Sequence, residues 1–263
     1  MSMKKKWLVV MLVSFLSVFV LFGCLPTQSE EEPEEQPEEA VMLKVYLPET
    51  TPEASPVYLM GSYNGWDITS AATSEVKEAD GKKYAEFDIS TLFEDEDYPV
   101  KYKYTCDVPW DFVEVNENGV EFGGTNGTRR LDIPPESDVE DVVLNWKGME
   151  LIPYTDLQQE VTVNFIVHVP EGTVDDDGKI YMAGTFADNW ATFVPLNKDQ
   201  TTGYYTTEAT MTSYTAQEYK FLRDDATDWS YVEKDAEGEE IGNRTIVLTG
   251  DATIVNVVES WAQ

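Results

Sequence analysis

The chain states one pattern twice. From residue 43 onward, its landmarks recur in the same order with a period of about 122 residues. LKVYLPETT (43–51) answers IVHVPEGT (166–173), and VYLMGSYNGWD (57–67) answers IYMAGTFADNW (180–190). YKYTCDVPWDFVEVNENGVEF (102–122) answers YKFLRDDATDWSYVEKDAEGEEI (219–241), and DVVLNW (141–146) answers NVVESW (256–261). A pattern of this length written twice is the mark of a duplicated fold.

Within each copy the short segments alternate. In VTVNFIVHV, Val161, Val163, Phe165, Val167 and Val169 share one face and Thr162, Asn164 and His168 the other. A period of two means half-buried strands. The same reading points Val100, Tyr102 and Tyr104 inward and Lys101 and Lys103 outward, and Tyr219 and Phe221 inward with Lys220 outward. Turn signals such as ADGK, NENG, DDDGK and AEGE punctuate the runs. No segment after the N-terminal leader holds a helical period. About seven short strands over roughly 105 residues predict an all-β chain of two tandem immunoglobulin-like sandwiches. They span 41–149 and 161–263, with a connector at 150–160 too short to let them wander apart.

Charge narrows the partners. With 18 basic against 50 acidic residues the net charge is -32. Such a surface repels phosphate backbones and anionic lipid, so nucleic acid is not an expected partner, whereas a neutral ligand meets no such penalty. Two cysteines cannot build a disulfide framework, and with a single histidine they cannot build a thiolate zinc site. No metal or cofactor is expected. The triplet Asp175, Asp176 and Asp177 reads as a charged hairpin tip, since no such cluster recurs in the first copy. Catalysis finds no anchor either. His168 sits mid-strand with no nucleophile motif beside it, and any pair among fifty acidic residues could be nominated as glycosidase carboxylates.

The N-terminus carries an address. Three lysines precede the uncharged run from Trp7 to Gly23, the layout of an export signal over 1–23. Leu21-Phe22-Gly23-Cys24 resembles the bacterial lipoprotein cleavage box, which implies a lipid on Cys24 and an extracytoplasmic chain tethered to the cell membrane or the outer membrane. An uncleaved membrane anchor is the alternative. Residues 24–40 are dominated by glutamate and proline, cannot bury apolar surface and repel one another, so they are expected to form an extended, disordered stalk.

In the repeats, Gly-x-[Phe/Tyr] followed after two or three intervening residues by Trp precedes [Tyr/Phe]-Lys-[Phe/Tyr], then a further Trp, then, in the second copy, Asn-Arg. This order resembles the starch- and glycogen-binding modules of amylases, glucoamylases and AMP-activated kinase. Gly184, Trp190, Lys220, Trp229, Asn243 and Arg244 carry it in the second copy, and Gly61, Trp66, Lys103 and Trp110 in the first, with Asn126 in a longer loop. The family's common Glu after the second Trp is absent, its place taken by Asp111 and Ser230. The resemblance implies a sandwich that binds α-glucan or maltooligosaccharide without cleaving it. Trp190 and Trp229, and Trp66 and Trp110, would stack on the C–H faces of glucose. Lys220, Asn243, Lys103 and Asn126 would bond the sugar edge.

Other positions have plainer expectations. Trp146 and Trp261 are assigned to packing, Arg244 to a carboxylate partner, Glu114 and Glu233 to bracing a loop or touching sugar, and His168 to an exposed, idle place. Separate hydrolases or transporters would take up the captured glucan. The rival is an envelope lipoprotein whose sandwiches mediate protein contacts without binding sugar.

Overall fold

The computed structural model describes residues 40–94, 97–107, 110–121, 128–173, 179–223 and 229–262. The leader with Cys24, the acidic segment before residue 40, Asn126 and the Asp175–Asp177 triplet lie outside the described residues. The described residues form one compact unit.

The first copy contributes strands β1 (Met42–Leu47), β2 (Val57–Gly61), β3 (Ala72–Ser74), β4 (Lys77–Ala79), β5 (Lys82–Asp88) and β6 (Val100–Cys106). It continues with β7 (Glu114–Val115), β8 (Arg129–Leu131), β9 (Val139–Val142) and β10 (Asn145–Trp146). One sheet has the order β4-β5-β1-β9 and the other β3-β2-β6-β8. Between them lies a core drawn from both sheets, including Leu43, Val45 and Phe87 on one side and Leu59, Tyr102 and Tyr104 on the other.

The second copy repeats the plan with β11 (Glu160–His168), β12 (Ile180–Gly184), β13 (Val194–Lys198), β14 (Tyr205–Thr212) and β15 (Gln217–Arg223). It closes with β16 (Glu233–Lys234), β17 (Arg244–Ile246), β18 (Ala252–Val257) and β19 (Ser260–Trp261). Here β13 pairs with both β12 and β14, so the two faces join into one winding seven-stranded sheet. Its core holds Val163, Phe165, Met182, Tyr219 and Phe221. In each copy the first strand lies parallel to a late one, β1 to β9 and β11 to β18. A parallel pair needs a long crossover, and here the rest of the sandwich provides it. The chain is all-β, two immunoglobulin-like sandwiches in tandem.

The alternation of β11 is regular, with Val161, Val163, Phe165 and Val167 buried and Asn164 exposed. In β6 and β15 it breaks down, because both faces are covered over most of the strand. That is why a strictly period-two reading misjudges the lysines they carry. Trp146 and Trp261 are packed in, and each indole N–H donates to a threonine hydroxyl, Thr51 at 2.8 Å and Thr173 at 3.0 Å. His168 is not idle: its ring lies flat on Tyr204, centroids 3.7 Å apart, where the cross-strand neighbourhood of β11 and β14 brings an aromatic over it.

The sandwiches are joined by more than their connector. A third apolar cluster takes Val142 and Leu144 from the first copy, Val247 from the second, and Tyr154 from the connector, stacked on Tyr214 at 5.6 Å. A parallel bridge pairs Thr128 with Arg244. Around it, Arg244 reaches Asp132, and Arg130 reaches Glu259 at 2.7 Å.

Candidate functional site

Each copy makes the same turn at the end of its second main strand. Gly61 closes β2 and Gly184 closes β12. A Cβ on either would collide with a main-chain oxygen of the adjacent strand, that of Lys101 or Glu218, so only glycine lets the chain pass there. The turn then folds back, and the Trp66 and Trp190 amides donate to the Gly61 and Gly184 carbonyls at 3.0 and 2.9 Å. Both tryptophans sit at positive φ, 64° and 73°. For an aromatic residue that backbone is disfavoured and persists only when its surroundings hold it.

The second tryptophan comes from the loop after β6 or β15. Trp110 also has a positive φ, 69°, and Trp229 opens a 3-10 turn, Trp229–Tyr231. The rings meet in pairs. Trp66 and Trp110 have centroids 6.2 Å apart and planes inclined by 41°, and Trp190 and Trp229 stand 5.8 Å apart at 56°. Trp110 and Trp229 are 45% and 42% exposed, large apolar surface left open to water. Phe193 buttresses Trp229 at 5.6 Å.

The lysines need correction. Lys103 and Lys220 lie away from the core tyrosines of their strands, yet they are 6% and 7% exposed and not solvated charges. A buried ammonium must be paired. Lys220 donates to Glu240 at 3.1 Å, and Lys103 stands 3.7 Å from Glu121. Each glutamate holds a second lysine, Lys234 at 3.4 Å from Glu240 and Lys147 at 2.8 Å from Glu121. The Lys220 hydrogen bond holds the Glu240 carboxyl below its ordinary range, and that of Lys147 does the same for Glu121. Neither glutamate was singled out from the sequence. Their signal there is faint, a Gly-x-Glu written once in each copy, at Gly119 and Gly238.

In the second copy these groups line a cleft of about 550 Å³ with Trp190, Lys220, Trp229, Lys234, Glu240 and Asn243 on its walls. The Asn243 amide nitrogen donates to Glu218 at 2.7 Å, which leaves its oxygen and one N–H for a ligand. Glu114 and Glu233 are fully buried. They accept from the Tyr104 and Phe221 amides, both at 3.0 Å, and from Arg129 and Arg244, so they brace the loop and cannot reach a ligand.

No protein-family model and no curated protein sequence matches the chain. Among solved structures there are distant likenesses. The glucoamylase of Hypocrea jecorina is 14% identical with a TM-score of 0.31, over 51% of this chain and 21% of that one. The family 20 carbohydrate-binding module of a maltotetraose-forming amylase from Pseudomonas saccharophila is 20% identical, TM-score 0.28, over 37% of this chain and 99% of the module. A streptococcal virulence factor described by its α-glucan binding is 13% identical, TM-score 0.25, over 84% of this chain and 95% of its own. The chain thus spans about a fifth of the glucoamylase. These likenesses are too distant to carry a function from those proteins to this one.

The structure brings Trp190, Lys220, Trp229 and Asn243 into one cleft, and pairs Trp66 with Trp110 in the first copy, where Lys103 occupies the position of Lys220.

Proposed function

We propose that this protein binds α-glucan or maltooligosaccharide without cleaving it, through one cleft in each sandwich. The observation that carries the reading is the inclined pair of indoles present twice, 5.8 Å and 6.2 Å between centroids, with one ring of each pair, Trp229 or Trp110, exposed. Glucose is uncharged, with C–H groups on its flat faces and hydroxyls round its edge. An indole covers the C–H face. At about 50–80 Å² of apolar surface hidden per stacked ring, each platform supplies about 1–2 kcal/mol. Two plates inclined to each other follow the bend of an α-1,4 chain, whereas the flat ribbon of cellulose would contact only one of them. Ordering costs then leave a single cleft with a dissociation constant of about 10 μM to 1 mM. Two clefts on one chain raise the avidity for a polymer about a hundredfold when both engage it.

The address at the N-terminus completes the proposal. Lipidated on Cys24 and held off an envelope membrane by its acidic stalk, the protein would capture glucan outside the cytoplasm and pass it to separate hydrolases or transporters. Incorporation of a labelled fatty acid, lost in Cys24→Ser, tests the anchor.

Tryptophan fluorescence tests the binding. Maltoheptaose is expected to quench it saturably and cellohexaose to leave it unchanged. Equal responses to the two sugars, or none to maltoheptaose, would sink the proposal.

A further inference from the structure

Glu121 and Glu240 stand at corresponding places in the two copies, and the arrangement around them has been assembled from different parts. Each follows a turn of the same build, closed by Asn116 N–H to Val120 at 2.8 Å and by Asp235 N–H to Glu239 at 3.1 Å. Each then bridges back across its hairpin, Val115 to Glu121 and Lys234 to Glu240. The cleft lysine, Lys103 or Lys220, is a repeat position. The second lysine is not. Lys147 follows β10, whereas Lys234 lies in β16, yet each puts an ammonium on the glutamate of its own copy, Glu121 or Glu240. The chain has 18 basic residues against 50 acidic ones, and four of the 18 converge on these two glutamates.

We infer that Glu121 and Glu240 are ligand-binding residues, each the acceptor half of a clamp for two neighbouring sugar hydroxyls of which the cleft lysine is the donor half. This rests on the α-glucan reading of the same clefts. In the second copy the carboxylate plane is pinned from both sides, Oε1 by Lys220 and Oε2 by Lys234. A carboxylate offers about four lone-pair sites, so two such bonds leave acceptor capacity to spare. Exposure divides the labour. The Glu240 side chain is 67% exposed and that of Lys220 only 9%, so a sugar entering the cleft meets the carboxylate on the open side of the pair.

The chemistry matches a vicinal diol. One hydroxyl donates to the carboxylate, its neighbour accepts from the ammonium, and the ion pair between them fixes the spacing. A charged acceptor makes a stronger bond to a hydroxyl than a neutral amide does. The two lysines on each glutamate offset its own charge, so discrimination against an anionic ring comes from the protein's net charge of -32, which favours neutral sugars. In the second copy the clamp also supplies a carboxylate to a cleft that carries Ser230 directly after its outer tryptophan.

Calorimetric titration of the full chain with maltoheptaose tests the inference. Three proteins are compared: wild type, the double variant Glu121→Gln with Glu240→Gln, and Trp110→Ala with Trp229→Ala. The glutamine pair keeps size and removes charge. It leaves a covered ammonium without its counter-charge in each copy, so some loss of melting temperature is expected. Binding is expected to weaken about tenfold or more while the tryptophan emission of the native chain stays that of wild type. Wild-type affinity in the glutamine variant, with binding lost in the tryptophan variant, overturns the clamp and leaves the α-glucan reading standing. Weakened binding accompanied by a shift in the tryptophan emission of the native chain also overturns it, because the glutamates would then only hold the indoles in place. Absence of binding in all three proteins overturns both.

Discussion

The Arg244 guanidinium of the second sandwich donates to the Asp132 carboxylate of the first at 2.5 Å, and both groups are buried. The bond corrects a deficit left by the duplication. In the first copy the equivalent arginine, Arg129, has two carboxylates of its own, Glu114 at 2.8 Å and Asp141 at 3.0 Å. Arg244 retains Glu233, but Asn256 stands where Asp141 stands in the first copy. Asp132 supplies the missing charge from next door, and it also accepts from the Val257 amide and the Asn256 side chain. The two sandwiches are therefore joined through a shared buried ion pair.

Removing one partner of a buried pair leaves an uncompensated charge, at a cost of about 3–5 kcal/mol. Asp132→Asn is expected to destabilise the protein by that order in chemical denaturation. Adding Asn256→Asp to the same chain restores a carboxylate within the second copy and should recover much of the loss. Failure of the second change to recover anything would show that Asp132 does not act as the substitute.

The same pair sets an acid limit. Burial alone would raise the Asp132 carboxyl, but Arg244 and Arg130 outweigh it and hold the group below its ordinary range. A carboxylate with a depressed folded value contributes fully above its unfolded value, about 3.9, and the contribution is lost as pH falls through the folded one. The stability gap between wild type and Asp132→Asn should thus be constant from neutral pH down to about 4 and close below it. Denaturation curves at a series of pH values measure this directly, and a gap that persisted at the lowest pH would refute the assignment.

Cys106 is free and buried, and burial, with Asp107 adding to it, pushes its thiol up to about 12. The thiolate is the reactive form. In a Cys24→Ser chain at pH 8, a thiol reagent should therefore leave the native protein unlabelled and label it fully in denaturant. Rapid labelling of the native chain would place the thiol at the surface instead.

Loss of one indole plate should weaken maltoheptaose binding in its cleft about 5- to 30-fold, the equivalent of about 1–2 kcal/mol. Trp229→Ala removes the plate in the second copy and Trp110→Ala in the first. In gels containing amylopectin, each single variant should be retarded less than wild type and the double variant hardly at all. Unchanged retardation of the double variant would remove the platforms from the account.

Gly184→Ala probes how the plate is presented. The added Cβ meets the Glu218 carbonyl, so the turn must shift and with it Trp190. Sugar binding in the second copy is expected to fall with a drop in melting temperature, and Gly61→Ala should do the same in the first. Full affinity in both would mean that the turn has more freedom than its contacts suggest.

Much of this could be read from the chain itself. Duplication, period-two burial in β11, and the aromatic-lysine-aromatic strands followed by tryptophan were legible because each is a local pattern of a few residues. Glu121 and Glu240 were not, since a glutamate beside a turn is unremarkable among fifty acidic residues until a lysine from another strand reaches it.

The sequence by itself determined the all-β class, the two sandwiches and the residue types that could face a sugar, because alternation and repetition are properties of neighbours along the chain. Only the tertiary structure decided which charges are buried and with whom they pair. Lys220 is covered and pairs with Glu240, 20 positions away, and Arg244 finds Asp132 across 112 positions of sequence. Burial and ion pairing depend on distance in space, and no local pattern encodes that distance.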